Sequence, residues 1–159
     1  MSPSVESNFV YVTFIRTTLE KLWSALTDPE QMKQYWLGVH IQSDWKTGSG
    51  WKMFLPDGTL ADTGEILVIE RPRRIQLKWR NEFRPELKAE GFSLCTIELE
   101  PYGSSVRLSV THSIERTESK FIQAVSGGWP MILSNLKSLL ETGQVVLTEA
   151  DRTHARSAS

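Results

Sequence analysis

The chain has 159 residues, with 18 Lys and Arg against 19 Asp and Glu, and a formal net charge of −1. That length suits one domain with a real core. The balanced charge excludes the basic face or stripe with which nucleic-acid binders meet a phosphate backbone, so no nucleic-acid partner is expected. A single cysteine, Cys95, excludes an internal disulfide and fits a reducing compartment. No apolar stretch approaches the roughly 20 residues that span a bilayer. The opening "MSPSVESNF" lacks a basic region followed by an apolar run, so no signal peptide is expected and the expected location is the cytoplasm.

In chain order, residues 1–7 are expected to be disordered and "NFVYVTFIR", 8–16, to form a strand, being rich in β-branched and aromatic residues. Thr17 followed by Glu20 reads as a capping box, and Leu19, Leu22, Trp23 and Leu26 follow at helical spacing. "TDPEQMKQYW" restarts a helix, with Asp28 as N-cap and Pro29 at the first helical position. From residue 39 to 113 the period changes to two. "VHIQS", "GWKMFL", "ADTGEILVIERP" and "RRIQLKWR" are strand candidates. "NEFRPELKAEG", 81–91, reads as a polar mobile loop. "FSLCTIELEP" and "SVRLSVTHS" form a hairpin about "YGS", with Val106, Leu108, Val110 and His112 on one face.

Residues 118–143 return to helical period, and Gly143 is a natural stop. Inside this helix lies "SGGWPMI". Pro130 removes a backbone donor and presses on the carbonyl of Ser126, and Gly127 and Gly128 relax the chain beside it. Two readings stand: the helix bows over a cavity with Trp129 as its wall, or the glycines mark where the sheet comes too close for side chains. The segment 144–159 is expected to be a mostly disordered tail. Residues 8–143 thus form one α+β domain, an antiparallel sheet with one apolar face covered by the final helix.

The segments "VYVTFIRTTLEKLWSALTDPEQMKQYW", "SDWKTGSGWKMFLPDG", "DTGEILVIERPRRIQLKW", "VRLSVTH" and "GGWPMILSNLKSLLETG" run in the order found in a known family. Over roughly residues 9–143 the chain resembles the SRPBCC (START/Bet v 1-like) superfamily. More narrowly, it resembles the bacterial proteins similar to the C-terminal domain of the activator of heat shock protein 90 ATPase. The resemblance implies a helix-grip fold: a curved antiparallel sheet around a long C-terminal helix, with two short helices after the first strand and a hydrophobic cavity. It implies no single activity, because fold is not function.

The expected function is non-catalytic binding of a small hydrophobic or amphipathic molecule between sheet and helix. Apolar pockets are lined by aromatic side chains with a few polar groups. The expected lining is Tyr35, Trp36, Trp51, Met53, Trp79, Cys95, His112, Val125, Trp129 and Leu133, with His112 or the Tyr35 hydroxyl setting orientation. For each tryptophan the alternative is core filling, and Trp23 reads as core. Trp45 sits in a turn-rich stretch as a candidate surface anchor. For His112 the alternative is a histidine satisfied at the strand end by a backbone carbonyl. His40 and His154 are not spaced with it as a metal set, and no Cys/His cluster appears, so neither metal nor cofactor is expected. No catalytic residue is assigned, since Cys95 has only His112 as a conceivable base. Two alternatives remain: a chaperone-cofactor-like interaction module, by family analogy, and a cyclase- or hydrolase-type enzyme. A monomer and a homodimer are both compatible with the sequence.

Overall fold

The computed structural model describes residues 6–151; the expected disorder of residues 1–5 and 152–159, and His154 with it, lies outside the described residues. Seven strands form one antiparallel sheet in the order β1-β7-β6-β5-β4-β3-β2. They are β1 (Ser7–Ile15), β2 (His40–Ser43), β3 (Gly50–Phe54), β4 (Leu60–Glu70), β5 (Arg74–Asn81), β6 (Ser93–Tyr102) and β7 (Ser105–Ile114). The helices are α1 (Leu19–Thr27), α2 (Pro29–Tyr35), α3 (Pro85–Lys88) and α4 (Lys120–Thr142). This is the helix-grip arrangement, with α4 laid over the inner face of the sheet.

Alternation makes that inner face. Ile75, Leu77 and Trp79 on β5, Cys95, Ile97 and Leu99 on β6, and Val106, Leu108 and Val110 on β7 are all buried. Successive side chains point to opposite faces of a strand, so each row of three covers the same side. On α4 the buried positions are Phe121, Ile122, Trp129, Leu133, Asn135 and Leu136. The helix starts at Ser119, whose hydroxyl accepts from the Ile122 N–H at 3.0 Å, and stops at Gly143 in the left-handed region, φ 84°.

Two local expectations change. The cap of α1 is Thr18, one residue later than expected, accepting from the Lys21 N–H at 3.2 Å. A reciprocal box fails because Lys21, three residues on, has no acceptor; Glu20 instead pairs with Arg71 at 3.0 Å. The polar stretch 81–91 is not a simple loop. It folds into α3, tucks Leu87 into the core, and sends Glu90 to the start of α4. The Glu90 carboxylate accepts from the Ser119 hydroxyl, from the Lys120 N–H at 2.9 Å and from the Phe121 N–H at 3.3 Å. Burial alone would raise its pKa; those hydrogen bonds hold it below the ordinary value. An acidic group at a helix N-terminus is favourably placed against the helix dipole.

The far end of α4 is tied down by Asn135. Its Nδ2 donates to the Tyr35 carbonyl at 3.2 Å and to the Leu147 carbonyl at 3.0 Å. Its Oδ1 accepts from the backbone N–H groups of Val146 and Leu147 at 3.0 and 2.7 Å. One buried amide thus joins α2, α4 and the segment that follows.

Candidate functional site: a cavity under the C-terminal helix

The aromatic residues under α4 form a connected array. Trp51 and Trp79 meet edge to face with centroids 4.7 Å apart, Trp79 and Trp129 at 5.9 Å, and Trp129 and Trp36 at 5.6 Å. Such tilted pairs are the favoured geometry for rings with a negative face and a positive edge. Each of three indoles also places its N–H. Trp51 Nε1 donates to the Lys78 carbonyl at 3.0 Å, Trp79 Nε1 to Asp62 Oδ2 at 2.6 Å, and Trp129 Nε1 to His112 Nδ1 at 3.2 Å.

The first of these bonds explains a glycine. Trp51 is on β3 and Lys78 on β5, so its indole must cross β4. It crosses at Gly64, where a Cβ would lie 1.6 Å from the Lys78 oxygen and 2.6 Å from Trp51 Nε1. Only a residue without a side chain admits that crossing.

His112 is sealed. Because its Nδ1 accepts from Trp129, its Nε2 carries the proton and donates to Ser93 Oγ at 2.8 Å; that hydroxyl in turn donates to the Trp79 carbonyl at 3.0 Å. Burial lowers its pKa to about 3, so the ring is neutral near pH 7. The histidine is satisfied, but by a serine and an indole rather than by a backbone carbonyl. Tyr35 is also committed: its hydroxyl donates to the Ala25 carbonyl at 2.9 Å, and burial raises its pKa. Both polar groups expected to orient a ligand are therefore used by the protein itself.

A cavity of about 500 Å³ lies between α2, the β3–β4 end of the sheet and α4. Tyr35, Trp36 and Val39 form one wall, and Met53, Leu55, Ala61 and Asp62 the sheet side. Ala124, Gly127, Gly128 and Met131 form the helix side. Here the glycines have the opposite meaning from Gly64: a Cβ added at Gly127 or Gly128 meets nothing within 4 Å. The reading in which the sheet crowds them is excluded: Gly127 is exposed at the cavity rim, and half-buried Gly128 leaves space beneath the helix. An adjoining chamber of about 200 Å³ shares Trp36, Asp62 and Gly128 and adds Trp79, Val125 and Trp129.

Of the expected lining residues, Tyr35, Trp36 and Met53 border the larger cavity, and Trp79, Val125 and Trp129 border the adjoining chamber. Leu133 sits with Trp45 around a void of only about 20 Å³, and Trp45 is half-buried against the core. Trp51, Cys95 and His112 border neither chamber. Cys95 is fully buried, and burial pushes its thiol pKa up. The residue that sequence reasoning missed is Asp62, 7% exposed. Its Oδ1 accepts from Asn81 Nδ2 at 3.3 Å, and its Oδ2 takes the Trp79 N–H already described. Burial pushes its carboxyl pKa up to about 6, against the pull of those two hydrogen bonds. A sequence signal existed: Asp62 alternates with Gly64 and Ile66, which puts it on the inner face of β4.

The fold and the cavity under its gripping helix define the class, a helix-grip protein of the START/Bet v 1 type. A family model, that of the activator of Hsp90 ATPase homolog 1-like proteins, matches residues 16–141, and the chain belongs to that family. Among solved structures, ChR145 from Cytophaga hutchinsonii is 30% identical, with a TM-score of 0.67 over 90% of this chain and 98% of that one. Protein MLL2253 from Mesorhizobium loti is 21% identical, with a TM-score of 0.74 over 87% of this chain and all of that one. The Aha1 dimer from Colwellia psychrerythraea is 20% identical, with a TM-score of 0.70 over 86% and 98%. No curated protein matches the chain significantly.

Proposed function

We propose that this protein binds a small hydrophobic or amphipathic molecule, without chemistry, in the cavity between α2, the β3–β4 end of the sheet and α4. The observation that carries the reading is Gly128: at a half-buried position bordering both chambers the long helix gives up a side chain where nothing else fills the room, and exposed Gly127 stands at the rim. A glycine at position 128 costs the helix roughly 0.5–1 kcal/mol relative to alanine, so the space beneath it is kept against helix stability. At about 500 Å³ the space falls in the range of ordinary ligand sites. Each CH₂ buried there contributes about 0.8 kcal/mol. The site of action in this proposal is the cytoplasm; among the described residues, no helix is long and apolar enough to cross a membrane.

The test is an NMR titration that follows the six indole N–H signals against fatty acids, sterols and flat aromatic compounds. The proposal expects the Trp36, Trp79 and Trp129 signals to move together and saturate with one class, while Trp23 stays still. A folded spectrum in which none moves would remove it.

A second reading has its own observation. Val10, Val12 and Phe14 on the outer face of edge strand β1, with Tyr102 against Phe14 at 4.9 Å, form an exposed apolar strip. That strip, and the description of the family, favour a protein contact, either a chaperone or a second copy of the chain. Stimulation of chaperone ATPase activity, or a dimer in sedimentation that Val10→Lys dissociates, would support it. A monomer without effect on the ATPase would sink it.

A further inference from the structure

Asp62 is the one ionisable side chain placed in the wall shared by both chambers that no cation of the protein pairs with: among the described residues, no Lys, Arg or His side chain forms an ion pair with it. Its two donors, the Trp79 indole and the Asn81 amide, are neutral. An ionised carboxylate offers about four acceptor positions, and two are filled. Burying an anion among apolar groups is costly unless it is paired. The neighbours do not supply the pair. Met53 on β3, Trp79 and Asn81 on β5, and Ala124, Gly128 and Ile132 on α4 carry no charge. Glu82, just beyond β5, has the same sign as Asp62, and its carboxylate is already held by Arg80 and Lys88 at 2.8 and 3.1 Å. Arg84 borders the smaller chamber but pairs with Glu86 at 3.0 Å. The Tyr35 hydroxyl is bound to backbone, and His112 is neutral and enclosed.

We infer that the cavity selects a ligand with an apolar body and a cationic, hydrogen-bond-donating end, an amine or amidine, whose head meets Asp62 while its body lies beneath Gly127 and Gly128. This inference rests on the reading of the cavity as a binding site and adds its chemical selectivity. An anionic ligand end would face a like charge in low dielectric, and fatty acids are therefore rejected. A neutral hydroxyl could donate to Asp62 but without the added strength that charge gives a hydrogen bond.

The test uses the full chain and three probes that share one apolar body: naphthylmethylamine, naphthylmethanol and naphthoic acid. Binding is read from the indole N–H signals at about pH 7.5, where both the carboxylate and the amine are charged. The expected order is amine first, by about tenfold or more over the alcohol, with the acid weakest. Asp62→Asn should bring amine and alcohol together while leaving alcohol binding in place. The unmutated protein should lose the same preference at about pH 4.5, because Asp62, with its pKa at about 6, is then protonated. That arm needs no variant, so it decides the matter even if Asp62→Asn does not fold. Equal binding of amine and alcohol, tightest binding of the acid, or an amine preference that survives both treatments would overturn the selectivity while leaving the cavity as a binding site. Failure of all three probes to move any indole of a folded protein would overturn the cavity reading and the selectivity with it.

Discussion

Gly64 on the sheet and the pair Gly127–Gly128 on α4 mean opposite things. Gly64 has no side chain because an indole must cross there: a Cβ would collide with the Lys78 oxygen at 1.6 Å. Gly127 and Gly128 have none although a Cβ would touch nothing. The first glycine belongs to a closed region, where the N–H group of Trp51 and the hydroxyl of Ser93 have partners. The other two belong to an open region, where a carboxylate has acceptor positions to spare. Position by position, a glycine demanded by packing is distinguished from a glycine that reserves space by what a methyl group would meet.

The contrast can be broken most severely at Gly64. Gly64→Ala should cost about 3 kcal/mol or more, as overpacking against backbone cannot be relieved by a rotamer change. Urea unfolding measures it, and a loss under about 1 kcal/mol would show that the Trp51 crossing is not required. Next comes His112→Ala, which strands the Trp129 N–H and opens a void. It should cost about 2–4 kcal/mol in the same assay.

Two of the buried titratable groups, His112 and Asp62, oppose one another with pH. The folded-state pKa of His112 lies at about 3, below its ordinary 6.5. Its contribution to stability is present above pH 6.5 and is lost as pH falls toward 3. Asp62 is shifted the other way, from 3.8 to about 6. Its relative stabilisation is full below pH 3.8 and is lost as pH rises through 6. Asp62→Asn should therefore gain most relative to the parent above pH 6, and should steepen the loss of stability between pH 6 and 4. Melting temperature against pH for both proteins reads this directly; parallel curves would mean Asp62 does not titrate within that window.

The smallest effect expected is at the open glycines. Gly127→Ala should stabilise by roughly 0.5–1 kcal/mol, since alanine favours helix and finds empty space. Destabilisation would mean the helix there is not free to accept a methyl group.

The fold was legible where the information is local. Alternation on β5 and β7 placed Ile75, Leu77 and Trp79, and Val106, Leu108 and Val110, on the face that is in fact buried. Asp28 and Pro29 opened α2, and Gly143 closed α4, because caps act within one turn. The site was legible only in part, because its walls come from α2, β3, β4 and α4 and meet only in three dimensions. Tryptophan position did not say which indoles are closed away, as Trp51 is, and which border space, as Trp36 does. Ligand-orienting roles for His112 and Tyr35 were chemically reasonable, yet their partners, Ser93, Trp129 and the Ala25 carbonyl, lie 10 to 19 residues away. Glu90 reaching Ser119, and Asn135 reaching Leu147, left no local periodicity to read.

The central claim is that the space under Gly127 and Gly128 is a binding site, and Gly128→Leu tests it most directly. A leucine there projects into the wall shared by both chambers and also favours helix. Isothermal titration of naphthylmethanol into the parent and the variant should give saturable one-to-one binding in the first. The second should bind at least about tenfold more weakly at an unchanged or higher melting temperature. Equal affinity in both proteins would contradict the account, because a filled cavity cannot hold the same guest.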